Sequence, residues 1–437
     1  MTRNKNKHKG RGVFFLIKGP AIVFILGLAV FGGVSADRLK KPSHDNHYVY
    51  LADSILDGRL HIEGKPPHRN DWAKYDDKWY VSFPPAPGFF MIPGVAVAGL
   101  EFNDRIFTLF FAAAGPALLF LLLQLLASSG RIARRPWEMA VLCALYGIGT
   151  VYFFSAVQGS VWFTAHMVGG VFLLLFAICS LDAKHPILAG LFLGLAFATR
   201  PPMLLAFPFF IYEMLRVHAP EEPVGPGRWL LNAIQKKGFG GTCKGLIIFG
   251  LPVVAIIVTL MVMNWTRFDD PFEFGHKLLQ VRWRDRIDRW GLFHYHYLAR
   301  NLSVSLTLLP WLSVHEPYLG ISRHGLAIWF TTPVLFWVLW PKKRDAFYVF
   351  LAITAVFVAA PSMLYQNSGW IQFGYRFSLD YTPFFILMLA VGGRRFNKLF
   401  LALCVFAVAV NLFGAITFDR AMEYYPSVST RSYFQPD

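Results

Sequence analysis

The chain has 437 residues, of which 55% are hydrophobic and only 16% are charged, and its formal net charge is +16. Crossing a bilayer core takes about 20 apolar residues, and runs of this kind recur along the chain. This composition excludes a soluble globular enzyme. The positive charge does not indicate nucleic acid as a partner, because the basic residues stand in short clusters between the apolar runs.

The first apolar run, 13–35, follows the basic segment TRNKNKHKGRG and predicts a retained transmembrane helix. A signal peptide has a shorter apolar region, although VSA at 34–36 leaves cleavage open. Ten further spans are predicted, at 104–128, 138–156, 163–181, 187–199, 201–215, 245–263, 325–340, 346–364, 379–392 and 399–417.

Four basic clusters set the expected orientation, since short basic loops are retained in the cytoplasm. They are RIARR (131–135), KK (236–237), PKKR (341–344) and GGRR (392–395). We therefore predict an all-α polytopic membrane protein of the cell (inner or plasma) membrane, with about 11 transmembrane helices. Its N-terminus lies in the cytoplasm and its C-terminus outside.

The chain is expected to be a single membrane-embedded domain, 1–437, with a basic cytoplasmic tail at 1–12 and an outer tail at 418–437. Two outer loops are long, 36–103 and 264–324, and both are rich in aromatic residues, which disfavours disorder. All four cysteines fall in predicted spans or on the inner side, so no outer disulfide is expected.

The first outer loop begins with HDNHYVYLADSILDG, which predicts an amphipathic helix lying in the membrane interface and ending at Gly58. Its apolar positions follow helical spacing: Tyr48, Leu51, Ala52, Ile55 and Leu56. Asp45 stands at its start, where it is either an N-cap or a catalytic carboxylate held at the membrane surface. Further along, Asp76 and Asp77 sit in a turn between aromatic residues, and the proline-interrupted stretch 89–100 predicts a second interfacial helix.

This layout resembles the integral-membrane glycosyltransferases of the C fold, in particular the bacterial family similar to protein mannosyltransferases and aminoarabinose transferases. The resemblance covers most of the chain and is densest over 41–128, with the proline-rich FPPAPG leading to the second span. Further similar phrases are FATRPPMLLAFPF (197–209), NWTRFDDPFEFG (264–275) and QFGYRFSLDYTPF (372–384).

The resemblance implies a polyprenyl-phosphate sugar as donor, a glycan, lipid or protein as acceptor, and transfer at the outer face of the membrane. It also implies that a carboxylate at the start of the first loop acts as the base. The family commonly has an Asp-Glu pair there, whereas this chain has Asp45 followed by Asn46, and the tyrosine spacing differs by one residue. Either Asp45 acts alone, or Asp76 or Asp77 takes part of its role.

The leaving phosphate needs cations to hold it, and three arginines are candidates. Arg200 follows an apolar run, so it faces a polar cavity or snorkels to the surface. Arg376 lies in the last outer loop, where Asp380 is its expected structural partner. Arg267 stands beside two aspartates that offer a loop ion pair as the alternative. His166, in a predicted span, is expected to be a core histidine.

No cofactor is certain from the sequence, and no metal ligand set is assigned. Aspartate-rich turns such as YDDK suit Mg²⁺ or Mn²⁺, and enzymes of this fold differ in needing a divalent ion.

Two other functions stay open. A lipid-linked glycan ligase or polymerase is the nearer one. A lipid or glycan transporter is disfavoured by the lack of visible repeats and by the scarcity of acids within the spans.

Overall fold

The computed structural model describes residues 9–68, 70–218, 225–281 and 283–426, with only the backbone of 9–16 and of 226. The described part is mainly helical. Its α-helices, numbered in chain order, are α1 (Lys9–Val34), α2 (His47–Leu56), α3 (Ala86–Ala98), α4 (Asp104–Ser128), α5 (Pro136–Ile148), α6 (Tyr152–Ala156), α7 (Ser160–Ser180), α8 (Pro186–Phe197), α9 (Phe207–Arg216), α10 (Pro226–Lys237), α11 (Phe239–Phe268), α12 (Arg284–Trp290), α13 (Leu298–Leu306), α14 (Ile328–Thr331), α15 (Ala346–Leu364), α16 (Thr382–Val391) and α17 (Lys398–Thr417).

Two short antiparallel hairpins and several 3₁₀ turns complete the described structure. The first hairpin pairs β1 (Trp72–Tyr75) with β2 (Lys78–Val81), and the second pairs β3 (Trp311–Leu312) with β4 (Leu319–Gly320). The 3₁₀ turns that matter for the site are Pro201–Ala206, His276–Leu278 and Arg376–Asp380.

Within the described ranges, six helices are long and apolar enough to cross a membrane, and they make this a membrane protein. They are α1, α4, α7 with its short extension, α11, α15 and α17. α7 is the central one, because 83% of its most apolar 18-residue stretch is buried inside the protein. The corresponding share for α1 is 6%. Buried side chains of α4, α5, α7, α9 and α16 form the main core around it.

The structure does not confirm the predicted count of eleven helices. The predicted span 138–156 is divided into α5 and α6, and 201–215 into a 3₁₀ turn followed by α9. The predicted span 325–340 consists of α14 and the 3₁₀ helix Pro333–Leu339. Prolines start two of these interruptions, at Pro201 and Pro333, because proline lacks the N–H that a continuing helix needs.

Three of the four basic clusters meet at one end of the bundle. Arg134 donates to the carbonyl oxygens of Leu389 (2.7 Å), Ala390 (3.0 Å) and Arg394 (2.8 Å). In the third cluster, the backbone N–H of Lys342 donates to the carbonyl of Gly392 at 2.8 Å. This end follows the last turn of α4, whose 25 residues span about 37 Å. The segment 36–103 precedes the other end of α4, so it and the basic clusters lie at opposite ends of that helix. The side of the membrane that each end occupies stays a prediction.

The segment between α1 and α4 is folded. α2, α3 and the β1–β2 hairpin share a small core that includes Tyr48, Leu51, Trp72 and Met91. α2 and α3 approach closely because α3 has a glycine at the contact: a Cβ on Gly88 would lie 2.8 Å from Leu51 Cδ2. The helix predicted over the apolar face of 48–56 and the helix predicted near 89–100 are both present, whereas their position in a membrane interface stays a prediction.

Candidate functional site

The polypeptide at the start of the first outer loop is tied to the N-terminus of α7. Asp104, at the start of α4, accepts hydrogen bonds from the backbone N–H groups of Ser43 (2.7 Å) and Ser160 (3.1 Å). The N–H of Val161 donates to the carbonyl oxygen of Asp45 at 2.9 Å. Loop and helix are therefore held in one fixed relation at the position of Asp45.

Asp45 does not cap α2. The N-cap of α2 is Asn46, whose side chain makes no capping hydrogen bond. The carboxylate of Asp45 instead accepts a hydrogen bond from Asn70 Nδ2 at 3.1 Å, and it lies 3.5 Å from His44 Nδ1 and 3.6 Å from His68 Nε2. Its side chain is 17% exposed. Of the two interpretations of Asp45, the structure disfavours the cap and leaves the catalytic one as a prediction.

Asp76 and Asp77 form the two-residue loop of the β1–β2 hairpin. Both have positive φ, +47° and +54°, as a type I′ turn requires, and aspartate tolerates this conformation better than most residues. Asp77 is 95% exposed and pairs with Lys74 at 2.8 Å. Turn formation is a sufficient structural reason for both residues, and their catalytic role stays a prediction.

Among the described residues, His44, Asp45 and His68 form the group that comes closest to a metal site, with ligand atoms within 4.8 Å of one another. The group does not fit Mg²⁺ or Mn²⁺, which favour oxygen ligands. Moreover, His68 Nδ1 accepts the N–H of Asn70 at 3.2 Å, which places the proton of the neutral ring on Nε2 and leaves that atom no lone pair for a metal. We therefore assign no step to a cation, and dependence on one stays a prediction.

Asp71 is a carboxylate that the sequence analysis missed. Its Oδ2 accepts a hydrogen bond from Trp162 Nε1, on α7, at 3.0 Å. Burial raises the pKa of Asp71 to about 6; the Trp162 hydrogen bond and the charge of Arg376 lower it, and the charge of Asp45 raises it further. No local pattern distinguishes Asp71 from the other acids of the loop, since burial and neighbours arise from tertiary contacts.

Arg200 is paired with Asp380 rather than free. Its Nε donates to Asp380 Oδ1 at 3.1 Å and its Nη2 to Oδ2 at 2.7 Å, a bidentate pair. Asp380 also lies 3.1 Å from Nδ1 of the buried His166. The expectation that Asp380 would pair with Arg376 is therefore wrong. The Arg200 side chain is 18% exposed, while that of Asp380 is 1% exposed, so the arginine is the more accessible member of the pair.

Arg376 and Arg200 both contact the ring of Phe377, with their guanidinium carbons 5.5 Å and 5.1 Å from its centroid, and the charge of Arg200 acts on Arg376. Arg376 donates to the carbonyl oxygens of Gly369 and Ile371, the latter at 3.0 Å, while its buried Nε has no hydrogen-bond partner among the described residues. Burial and the charge of Arg200 lower the pKa of Arg376 to about 9, which leaves it charged at pH 7.

Arg267 has a different environment from the other two candidates. At the end of α11, it donates to the carbonyl oxygen of Val81 in β2 at 3.0 Å and to Asn264 Oδ1 at 2.6 Å. The loop ion pair considered from the sequence is absent from its described contacts; Asp269 instead accepts the hydroxyl of Tyr75 at 3.1 Å. These contacts fasten the first loop to α11, which is a structural role, and phosphate binding by Arg267 stays a prediction.

Two buried polar atoms on which the charge of Arg200 acts have no hydrogen-bond partner among the described residues. They are His166 Nε2 and the hydroxyl of Tyr48. Burial, together with the charges of Arg200 and Arg267, lowers the pKa of His276 to about 4, so this ring is neutral at pH 7. Buried polar groups are rarely left unpaired, so this grouping indicates a place for a polar ligand.

No family model matches the chain, and no curated protein matches it. Solved structures do show similarity. The apo oligosaccharyltransferase of Archaeoglobus fulgidus has 13% identity and a TM-score of 0.42, covering 93% of this chain and 56% of that chain. ArnT from Cupriavidus metallidurans, bound to undecaprenyl phosphate, has 12% identity and a TM-score of 0.44, covering 92% and 63%.

A third structure is AglB from Archaeoglobus fulgidus, in complex with an inhibitory peptide and a dolichol-phosphate. It has 12% identity and a TM-score of 0.41, with 93% of this chain and 56% of that chain covered. The chain thus spans between 56% and 63% of the length of these three structures.

Proposed function

We propose that the protein is a membrane glycosyltransferase that moves a sugar from a polyprenyl-phosphate donor to an acceptor hydroxyl at the outer face of the cell membrane. The observation that carries the proposal is the arginine pair, Arg200 and Arg376, which shares the ring of Phe377; the charge of Arg376 also acts on Asp71 of the first loop. The N-terminus is taken to be cytoplasmic, which puts this loop outside.

The protein supplies a hydrogen-bonded counter-ion for Arg200 but not for Arg376 among the described residues. Asp380 neutralises Arg200, but Arg376 has carbonyl oxygens as its bonded partners and Asp71 only as a neighbouring charge. A buried cation without a bonded counter-ion is costly. A phosphate bound between the two guanidinium groups would remove this cost, and arginine is well suited to phosphate because its donors form a planar fork.

The surroundings of Arg200 suit a lipid-linked donor better than a soluble one. The N–H of Ala86, the first residue of α3, donates to the carbonyl oxygen of Ala198, two residues before Arg200, at 3.0 Å. α3 then presents exposed apolar side chains, with Phe89 43%, Phe90 44% and Val97 89% exposed. An apolar helix surface that starts beside the arginine can contact a prenyl chain while the phosphate lies at the guanidinium.

The proposed reaction displaces phosphate at the anomeric carbon. The acceptor oxygen forms a bond to C1 of the sugar, and the bond from C1 to the phosphate oxygen breaks, with its electron pair passing to the phosphate. Arg200 and Arg376 stabilise the charge that develops there. A carboxylate of the first loop takes the hydroxyl proton. The sequence pattern favours Asp45 for this role, with Asp76 or Asp77 as alternatives.

The test uses the purified protein in liposomes with radiolabelled polyprenyl-phosphate sugars, and with membrane lipid extracts, glycans and peptides offered as acceptors. Label transferred from the donor to an extractable acceptor is the expected result. Transfer of a preformed lipid-linked chain to a second glycan would instead show a ligase or polymerase, and movement of intact donor across the bilayer would show a transporter.

Phosphate recognition is tested separately by comparing undecaprenyl phosphate with undecaprenol, which lacks the phosphate. The proposal expects binding of the first, weakened in an Arg376→Met variant, and little binding of the second. Equal binding of both lipids would contradict the phosphate site, since the prenyl chain alone would then explain the affinity.

A further inference from the structure

Asp71 is placed more favourably for proton transfer than the carboxylate expected from the sequence. It contacts α7 through Trp162 and lies within the field of Arg376. The charges of Asp71 and Arg376 also act on Tyr365, which follows α15, the former raising and the latter lowering the pKa of its hydroxyl. Only its Oδ2 has a hydrogen-bond donor among the described residues, and Oδ1 is left for another partner.

The backbone of Asp71 adopts the left-handed conformation, with φ of +56°. Such a conformation costs free energy in a residue other than glycine and persists when the surroundings enforce it. Both neighbours supply that constraint. Asn70 donates to Asp45 at 3.1 Å, and Trp72 is fully buried with its ring stacked 4.2 Å from that of His47. The Asp71 side chain is thus aimed by a fixed and strained backbone.

Asp45, in contrast, is already engaged. One carboxylate oxygen accepts from Asn70 and lies near His68, and the other lies near His44. Through Asn70, Asp45 holds the residue that immediately precedes Asp71. Its contacts are those of a group that orients a neighbouring segment.

Resting on the proposed function, we infer that Asp71 is the carboxylate that accepts the proton of the acceptor hydroxyl, and that Asp45 is a positioning residue acting through Asn70. As the acceptor oxygen bonds to C1 of the sugar and the C1–phosphate bond breaks, the hydroxyl proton passes to Asp71. The carboxylic acid so formed returns its proton to water after the product leaves.

The electrostatic surroundings fit this role. The charged and titratable groups facing Asp71 in the described structure are Arg376, Asp45 and Tyr365. Burial and Asp45 favour the protonated form, whereas Arg376 and the Trp162 hydrogen bond favour the carboxylate. With its pKa raised to about 6, Asp71 is ionised at pH 7 yet more basic than an ordinary aspartate, as an effective general base should be.

The first experiment measures sugar transfer by Asp71→Asn. Asparagine tolerates positive φ as well as aspartate does and keeps the shape of the side chain, so the variant is expected to fold. Turnover should fall by about 10²–10⁴-fold. Binding of undecaprenyl phosphate should be unchanged or tighter, because a negative charge near Arg376 is removed. Full turnover in this variant would overturn the inference, whereas absence of transfer in the wild type would refute the proposed function itself.

The matched variants are Asp45→Asn and Asp45→Ala. Asparagine at 45 keeps an oxygen that can accept from Asn70, so this variant should transfer sugar at least tenfold faster than Asp71→Asn, while alanine loses the contact and should be slower than asparagine. An inactive Asp45→Asn combined with an active Asp71→Asn would return the base to Asp45. Activity in both would remove the carboxylate base from the first-loop segment 45–71.

A pH profile separates proton transfer from a merely structural role. Wild-type turnover should fall as the pH drops through about 6, because Asp71 becomes protonated. Trp162→Phe removes the hydrogen bond that stabilises the carboxylate, so the acidic limb of its profile should move to higher pH. A limb that stays at the same pH in this folded variant would contradict the assignment.

Discussion

Replacing the two arginines of the pair separately by methionine should change stability in different directions, although both replacements weaken donor binding. Methionine keeps much of the length and removes the charge. In Arg200→Met, Asp380 loses its bidentate partner and stays buried with His166 alone. Breaking a buried ion pair costs about 3–5 kcal/mol, and we expect the lower end because Arg200 is 18% exposed.

Arg376→Met breaks no bonded ion pair. The carbonyl oxygens of Gly369 and Ile371 lose a donor, at a cost of about 1 kcal/mol each. This cost is offset because a buried guanidinium, whose desolvation penalty is several kcal/mol, is no longer present. The stability of this variant should therefore be unchanged or higher.

For donor binding, a hydrogen bond to a charged group contributes about 1.5–3 kcal/mol, so each replacement should weaken binding of undecaprenyl phosphate roughly 10- to 100-fold. Arg376→Lys should recover part of this loss, since lysine supplies the charge without the planar fork. Tryptophan fluorescence, from 13 tryptophans, reports the unfolding midpoint of the detergent-solubilised variants, and lipid titration reports the affinity.

Two results would contradict these roles of Arg200 and Arg376. If both variants lose stability to the same extent, then it is not true that Arg200 has a bonded counter-ion and Arg376 has none. If Arg376→Met binds undecaprenyl phosphate as tightly as the wild type, Arg376 does not contact the phosphate, and the arginine pair is not a donor site.

Two further predictions concern the position of Arg200 and the orientation of the chain. Gly169→Ala should weaken donor binding, because the new Cβ would lie 3.1 Å from Arg200 Cγ and 3.0 Å from Met203 Sδ and so would displace this segment. Gly170→Ala, whose Cβ would lie 3.4 Å from the Tyr146 hydroxyl, should leave the affinity unchanged. Equal affinities of the two variants would contradict the dependence of donor binding on the position of Arg200. A cysteine replacing Lys65 in the first outer loop should react with a membrane-impermeant thiol reagent in intact cells, and one replacing Lys343 only after permeabilisation. The reverse pattern would invert the orientation.

The first loop illustrates how far local pattern can be read. The helical spacing of apolar residues in 48–56 predicted α2, and the structure places Tyr48, Leu51 and Ala52 of that face in a buried core. The turn at Asp76 and Asp77 was also recognisable from its flanking strand-forming residues. An amphipathic helix and a tight turn depend on residues within a few positions of one another, so both can be predicted from the sequence.

The spans show a limit of the same approach. Apolar content identified the chain as a membrane protein and predicted the six long helices, because these helices are recognised by their length and composition alone. It did not reveal that some apolar stretches are divided into short helices and 3₁₀ turns. These interruptions are tolerated where neighbouring helices bury them, and burial between helices is not recorded in the hydropathy of one segment.

The candidate site depends almost entirely on the tertiary structure. The sequence by itself determined that the candidate acids lie between the first two predicted spans and that Arg200 follows an apolar run. It could not determine that Asp380 pairs with Arg200, 180 residues away, rather than with Arg376, four residues away. Nor could it show that the carboxylate of Asp71 accepts a hydrogen bond from Trp162 on α7, or that the charge of Arg376 acts on it. The physical reason is that charge pairing and burial act through space, so only the packing of distant helices decided which carboxylate and which arginine meet.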